Sequence, residues 1–552
     1  MTKPEKDRNA SLAMLVLVLA GALLRFQGLD WDVGLFFHPD ERNIATAAAR
    51  LAWPDHLVPD FHAYNGLSLY LPRMLAELVA IAGGRPGNDA AAIALASRWI
   101  SAAFSTATLP FLWLCARDAT DARWALVALA CAVFCPGLIQ AAHFGTTESG
   151  LVLCLVLLLF LGMRHVAGRL TLGRFALLTG LALGFGLGLK NSALAFGLVP
   201  AVAVFQTHGL RRGLLPALKA GMIAGPIALA MALLSTPQLW VAPGDYWSTM
   251  RFESGVVSGA ADVFWTWQFT HATSVLFEIG QLPWIAGPLV APLGLAGFLL
   301  ALIGAWRERP ASRLLLGAAL FTLAYGAIVM SWHAKFVRYL LPLLPCFFLF
   351  ATALLRELAV GARRKLLVIA TLAASVVAGT AQALIYQRPD PRLEAWKWLA
   401  PQLKAEDRLA VEPVDLTPPY AILPTPAVRI DILPLTDPPS EEKLDRIAST
   451  LAGSRWLLIV SRRHLGVLPQ LRDRFPFMCN YYDALLSGRF GYERVATFRR
   501  GPALPAWLDP ERQAEETLTV FDQPRVLVFQ NRELLPADML RRAITEKTAN
   551  CP

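Results

Sequence analysis

The stretch Phe37-His38-Pro39-Asp40-Glu41-Arg42 decides how the chain is read. It closely follows an apolar span, Ala10 to Phe26, and opens a polar segment of roughly sixty residues before the next apolar span. Adjacent carboxylates at the mouth of a membrane helix are costly unless they are used, which makes Asp40 and Glu41 candidate catalytic acids. Acids also suit a helix start, and Asn43 to Ala49 reads as a helix. Capping accounts for one acid and leaves the His-Pro-Asp-Glu cluster less well explained. His38 is a candidate for orienting or contacting a substrate, while a His beside Pro equally suits a turn.

Around this stretch the composition is that of a membrane protein. The chain has 552 residues, of which 55% are hydrophobic and only 17% charged, with a mean hydropathy of +0.46. That is too apolar for an ordinary soluble protein. A net charge of +10 would suggest nucleic acid in a soluble chain. Here Lys and Arg fall mostly in short loops between apolar spans, where they signal orientation instead, so no nucleic-acid partner is expected. Of the seven Cys, five lie in or beside spans; Cys479 and Cys551 lie in the polar tail and could pair in an oxidising compartment. No Cys or His metal-ligand spacing occurs and no cofactor is expected; Asp40 and Glu41 could hold a divalent ion, but they do not make a complete ligand set. The first span lacks a small-residue cleavage site and reads as a retained signal anchor.

In order, the hydropathy predicts about 11 transmembrane helices in residues 1–387. Short helices lie along the bilayer surface in the first outer loop, where Ile44, Ala47, Ala48 and Leu51 recur at helical spacing. The stretches 175–189 and 192–206, parted by Lys190-Asn191, are short enough to be a tight pair that need not each cross fully. Basic loops such as Arg117/Arg123, Arg164/Arg169/Arg174, Arg211/Arg212 and Arg363/Arg364 then share the side of the N-terminus, which the positive-inside rule makes cytoplasmic. Asp40-Glu41, Thr146–Glu148, Lys190, a Trp-rich segment at Thr236–Leu282 and Lys335–Tyr339 fall on the other side. So does the tail, residues 388–552. It carries strand-like runs at Leu409–Val411, Trp456–Val460 and Val526–Phe529, a helical stretch at Arg392–Leu403, and enough length for one small extracytoplasmic α/β domain.

Several outer residues bear chemistry. Lys190, Lys335 and Arg338 are cations at span ends, against the positive-inside bias, and a lipid phosphate is a natural partner for them. Snorkelling to the interface is the competing reading. His333, Lys335 and Arg338 together make a candidate phosphate clamp, with Tyr339 alongside. Glu148 starts a span in Thr-Thr-Glu-Ser, which is equally a helix N-terminus. Asp245, Arg251, Glu253 and Asp262 read as a solvated loop. An outer base with phosphate-binding cations suggests transfer of an acyl, phosphoryl or glycosyl group from a lipid phosphate.

The chain resembles the GT-C glycosyltransferases that use polyprenyl-phosphate sugars, in the branch of bacterial aminoarabinose transferases and protein O-mannosyltransferases. The resemblance rests on Asp40-Glu41 after the first span, on the acid-bearing turn Thr146–Glu148, and on Arg338-Tyr339-Leu340-Leu341-Pro342 at the start of a late span. Many relatives carry Asp where Glu148 stands. Several have a Lys-Pro pair where this chain has Ala63-Tyr64-Asn65-Gly66-Leu67, leaving Tyr64 as the candidate contact. The resemblance implies Asp40 as base of an inverting transfer at the outer face of the cytoplasmic (inner) membrane. It also implies Lys335 and Arg338 on the carrier phosphate. The partners it implies are membrane lipid, a polyprenyl-phosphate-linked sugar donor and a glycan, lipid or protein acceptor. A transporter or lipid flippase is the alternative, although no inverted repeat is visible and span interiors are largely uncharged. A non-catalytic scaffold for the tail leaves the outer cations unexplained.

Overall fold

The computed structural model describes residues 3–83, 85–272, 274–306, 310–358, 361–413, 428–501, 505 and 507–546. The chain is a polytopic α-helical membrane protein with a C-terminal α/β domain. Among the described residues, eight helices are long and apolar enough to cross a membrane, or up to ten spans if each of two bent pairs counts as one.

The first span is α1 (Lys3–Phe26), followed by α2 (Pro39–Ala49) and α3 (Leu67–Ile81) in the polar segment. Next come α4 (Ala90–Ala119), α5 (Ala122–Val133), α6 (Pro136–His143), α7 (Glu148–Val166) and α8 (Leu172–Leu189). The helices α5 and α6 bend by 52° at Cys135-Pro136, where proline starts a new helix rather than continuing the old one. Lys190 then takes an extended conformation, and a 3₁₀ turn (Asn191–Gly197) leads into α9 (Leu198–His208). The expected span 192–206 is therefore a turn and an 11-residue helix, short of a full crossing. After α10 (Leu214–Ser235) the Trp-rich segment folds into α11 (Gln238–Val241), α12 (Pro243–Ser258) and a 3₁₀ turn (Phe264–Phe269). The pair α13 (Leu276–Ala286) and α14 (Val290–Trp306) bends by 119°. Then α15 (Pro310–Ser331), a 3₁₀ turn (Val337–Leu343) running into α16 (Leu344–Glu357), and α17 (Ala362–Ile385) complete the membrane part.

At its centre lie α7 and the span from Val337 to Glu357, each 78% buried within the protein. The helix α7 packs on α4, α8 and α9. Small residues bring helices close: a Cβ on Gly66 would run into the Ser235 carbonyl oxygen, so only glycine fits there. A buried arginine also ties helices together. Arg25 on α1 donates from Nε to Ser105 (2.8 Å) and from Nη1 and Nη2 to the carbonyls of Val133 (3.1 Å) and Ala132 (3.0 Å). Those carbonyls are freed by the end of α5.

The chain divides into two compact units, one of residues 1–30 and 40–384, the other of 31–39 and 385–552. The second holds α18 (Pro391–Leu399), α19 (Glu441–Gly453), α20 (Met478–Leu486), α21 (Pro510–Gln513) and α22 (Ala537–Thr545) around one sheet. Its strands are β1 (Arg408–Val411), β2 (Arg429–Ile432), β3 (Trp456–Ile459), β4 (Tyr492–Phe498) and β5 (Val526–Asn531), in the order β2-β1-β3-β5-β4. The strand β1 runs parallel to β2 and β3, whereas β5 is antiparallel to β3 and β4. Residues 31–39 join this unit through specific contacts. Arg500 Nη2 donates to the Trp31 carbonyl (3.1 Å), and the Arg392 guanidinium lies 3.7 Å from the Phe37 ring centroid. Cys479 is disulfide-bonded; Cys551 lies outside the described residues.

Candidate active site

Three breaks between helices each deliver a charged side chain: Asp40, Lys190 and Arg338. Asp40 sits in the first turn of α2, and the Arg338 guanidinium, in the 3₁₀ turn before α16, donates through Nη1 to Asp40 Oδ2. The two residues are 298 positions apart in sequence. Both stay partly open, with 22% of the Asp40 and 28% of the Arg338 side chain exposed. The Arg338 guanidinium also lies over the rings of Phe336 (4.8 Å) and Tyr339 (5.7 Å), which hold a planar cation without neutralising it. The Tyr64 hydroxyl hydrogen-bonds Asp40; burial, and then the Asp40 charge, push that phenol well above its ordinary range, so it remains a donor.

Beside this pair, Lys190 Nζ stands 3.9 Å from Glu148 Oε1 and 5.3 Å from the Tyr64 ring centroid. Lys190 reaches the site because α8 stops at Leu189. The stop is fixed by a polar triangle. Asn65 Nδ2 donates to the Leu187 carbonyl (2.6 Å) and to Asn191 Oδ1 (2.8 Å), while Asn191 Nδ2 donates to the Tyr246 hydroxyl (2.6 Å). That hydroxyl in turn donates to Asn65 Oδ1 (2.9 Å). Three distant stretches are thereby locked together around Lys190 and Tyr64. Glu253 on α12, half-buried, feels the charges of Lys190, Arg338 and Asp40; burial raises its pKa above the ordinary carboxylate value.

The other expected site residues go elsewhere. Glu41 is fully buried and takes a two-pronged ion pair from Arg98, Nε to Oε1 (2.9 Å) and Nη2 to Oε2 (2.6 Å). Its Oε1 also accepts from the Gly145 backbone N–H. No room is left on it for a substrate, and it ties α2 to α4 and to the turn before Glu148. The expected clamp of His333, Lys335 and Arg338 is split. Lys335 is buried, with Nζ 3.2 Å from Glu278 Oε1 and donating to the carbonyls of Met330 (3.3 Å) and Trp332 (2.6 Å). His333 packs against Gly259, and its backbone N–H donates to the Val257 carbonyl (3.0 Å). His38 belongs to the second compact unit, where its ring lies 4.3 Å from that of Phe521. The sequence reading missed Asn65, Asn191, Tyr246 and Glu253. An Asn near a span boundary was the only signal for the first two, since polar side chains there must find partners, and Tyr246 carried none.

Near Glu148, the residues that line a small cleft include Ser68, Ser97, Ser101, Phe104, Thr146 and Thr147. Among the described residues no group of three or more His, Cys, Asp or Glu is arranged to hold a metal ion.

Comparison with known proteins gives the following. Residues 91–240, from α4 to α11, match the family model described as dolichyl-phosphate-mannose-protein mannosyltransferase. Solved structures that the chain matches include the oligosaccharyltransferase of Archaeoglobus fulgidus tethered to an acceptor peptide, 11% identical, with 85% of this chain and 72% of that one covered at a TM-score of 0.49. ArnT from Cupriavidus metallidurans bound to undecaprenyl phosphate is 16% identical over 94% of this chain and 98% of that one, with a TM-score of 0.46. Arabinofuranosyltransferase AftD from Mycobacteria is 16% identical over 96% of this chain and 42% of that one, with a TM-score of 0.39. No curated protein matches the chain. The resemblance to glycosyltransferases that draw on polyprenyl-phosphate sugars thus has an independent footing over 91–240.

Proposed function

We propose that this chain is an inverting glycosyltransferase. It moves a sugar from a polyprenyl-phosphate carrier to a hydroxyl acceptor at the outer face of the cytoplasmic membrane. The observation that carries the reading is the Asp40–Arg338 pair, with Tyr64, Glu148 and Lys190 around it: one base and two cations at one mouth of a membrane bundle. The family model matched over 91–240 names a dolichyl-phosphate-mannose donor, which agrees with a lipid-linked sugar here.

In this mechanism Asp40 takes the proton of the acceptor hydroxyl. The acceptor oxygen bonds to the anomeric carbon as the bond from that carbon to the phosphate oxygen breaks on the opposite face, which inverts the centre. The bonding electrons leave with the lipid phosphate, and Arg338 and Lys190 stabilise the charge that develops on it. Arg338 starts bound to Asp40, so an arriving phosphate takes over the guanidinium and leaves the carboxylate free to act as base. Tyr64 keeps Asp40 aimed. Glu41 and Lys335 support the site from behind, through Arg98 and Glu278. A disulfide at Cys479 suits an oxidising, extracytoplasmic compartment for the tail.

The test is a membrane assay with a radiolabelled polyprenyl-phosphate sugar. Asp40→Asn should abolish transfer with unchanged expression, and Arg338→Ala should raise the donor KM. Near-normal turnover by Asp40→Asn overturns the assignment.

A further inference from the structure

The helix α12 is pinned at both ends to the two turns that carry the site's cations. Near its start, the Tyr246 hydroxyl is bonded to Asn65 and Asn191, the neighbours of Tyr64 and Lys190. Near its end, the Val257 carbonyl accepts from the backbone N–H groups of His333 (3.0 Å) and Ala334 (3.1 Å), a few residues before Arg338. Glu253 lies between the two anchors. It is half-buried and within the field of Lys190 and Arg338, and more weakly of Asp40.

The charges around it do not balance. Asp40 holds Arg338, and Glu148 stands against Lys190. Glu253 is a third carboxyl facing two cations, and a phosphodiester would bring another negative charge to them. Two anions at the same cations repel unless one is neutral. Of the three acids, Glu253 lacks an ion pair within 4.0 Å among the described residues, and burial favours its uncharged form. A neutral carboxyl is a hydrogen-bond donor, and phosphate oxygens are strong acceptors.

We propose that Glu253 is a further binding residue of this site. From the face of α12 that carries both anchors, its carboxyl donates a hydrogen bond to a non-bridging oxygen of the donor's phosphodiester. The proposal rests on the lipid-linked transfer reading above. The groups that face Glu253 from neighbouring elements are Asp40 on α2, Lys190 after α8 and Arg338 and Tyr339 before α16. His333 abuts the end of α12, and Asp245 and Arg251 share the helix itself.

Donor binding then takes up Glu253 in its protonated form. As pH rises past the ionisation of Glu253, the wild-type donor KM should climb by about tenfold per unit while kcat holds. Glu253→Gln keeps a neutral donor and cannot ionise, so this rise should disappear and the KM at low pH should stay near the wild-type value. Glu253→Ala should show a KM that does not vary with pH and lies about tenfold above the wild-type value at low pH, since it removes a hydrogen bond to a charged group. A phosphodiester donor does not change charge over this range, and the Gln variant controls for every other titrating group. The same pH series of binding should be run with the lipid-linked sugar alone, followed by thermal shift of the full-length protein in micelles. That readout needs no turnover. If wild type binds the donor with the pH slope but transfers nothing, the transfer reading fails and the phosphate site stands. If Glu253→Gln keeps the slope, or Glu253→Ala leaves KM unchanged, Glu253 does not touch the phosphate and the inference is overturned.

Discussion

Asp40 and Glu41 are chemically near-identical neighbours with opposite fates. On the first turn of α2, successive side chains point about 100° apart, so one acid turns to the open mouth and the other into the bundle. Asp40 keeps 22% of its side chain exposed, while Glu41 keeps none and is saturated by Arg98 and the Gly145 N–H. Removing one partner of a buried pair leaves an uncompensated charge, at a cost of about 3–5 kcal/mol. Glu41→Gln should therefore lower the thermal stability of the micelle-embedded protein markedly, whereas Asp40→Asn should leave it near wild type and remove activity. A Glu41→Gln protein that melts with wild type would show that Arg98 is solvated and that Glu41 is no anchor. The sequence made the acid pair legible but not the division of labour. That division depends on Arg98, which lies 57 residues away on α4 and carries no local mark of being a partner. Arg338 was legible for a related reason: the hydropathy map expects it on the outer side, where a cation runs against a topological bias. Lys335 violates the same bias, yet its partner Glu278 answers it from within the fold.

At the scale of elements, hydropathy finds the spans because an apolar run long enough to cross has few alternatives in water. It fails where spans break. Proline at 136 and the extended Lys190 interrupt otherwise apolar runs, and what each break does depends on partners brought from elsewhere. The Lys190 break is held by the Asn65–Asn191–Tyr246 triangle, and Tyr246→Phe tests it. Loss of the hydroxyl leaves Asn65 Oδ1 and Asn191 Nδ2 each short of a bond, at about 1–3 kcal/mol for a buried polar group. The cost should fall on the geometry of Lys190 and Tyr64. The donor KM should rise several-fold while expression persists, read in the same radiolabelled-donor assay; an unchanged KM would mean that the triangle does not set the cation. Gly66→Ala should be harsher, since its new methyl meets the Ser235 backbone rather than a movable side chain. Little mature protein should be recovered from membranes.

At the scale of the whole molecule, the tail shows what strand-like runs do and do not tell. Three apolar runs identified β1, β3 and β5, the middle of the sheet, because central strands are buried on both faces. The edge strands β2 and β4 are half-exposed and mixed in polarity, and they left no such run. The register also hides a polar feature. Glu412 directly follows β1 and His464 comes shortly after β3, and because β1 and β3 are parallel neighbours both residues lie beyond the C-terminal ends of these strands. Glu412 is buried, accepts from the Tyr482 hydroxyl (2.8 Å) and lies 3.9 Å from His464 Nδ1. Burial is the main force on it and pushes its pKa up to about 8, with the Tyr482 hydrogen bond acting against. In the unfolded chain it titrates near the ordinary 4.5. Between those values the folded state holds a proton that the unfolded state lacks, so stability falls as pH rises. The contribution is fully present below the unfolded value and is lost by the time pH passes the folded one, with a limiting slope of about 1.4 kcal/mol per unit. Denaturant unfolding of the full-length protein in micelles, followed by fluorescence of Trp396 and Trp456 in the tail core, should show its midpoint dropping between pH 5 and pH 8. Glu412→Gln, neutral at every pH, should flatten that dependence. A wild-type midpoint that does not move would mean that Glu412 is ionised in the fold, and His464 would then have to carry the balancing charge.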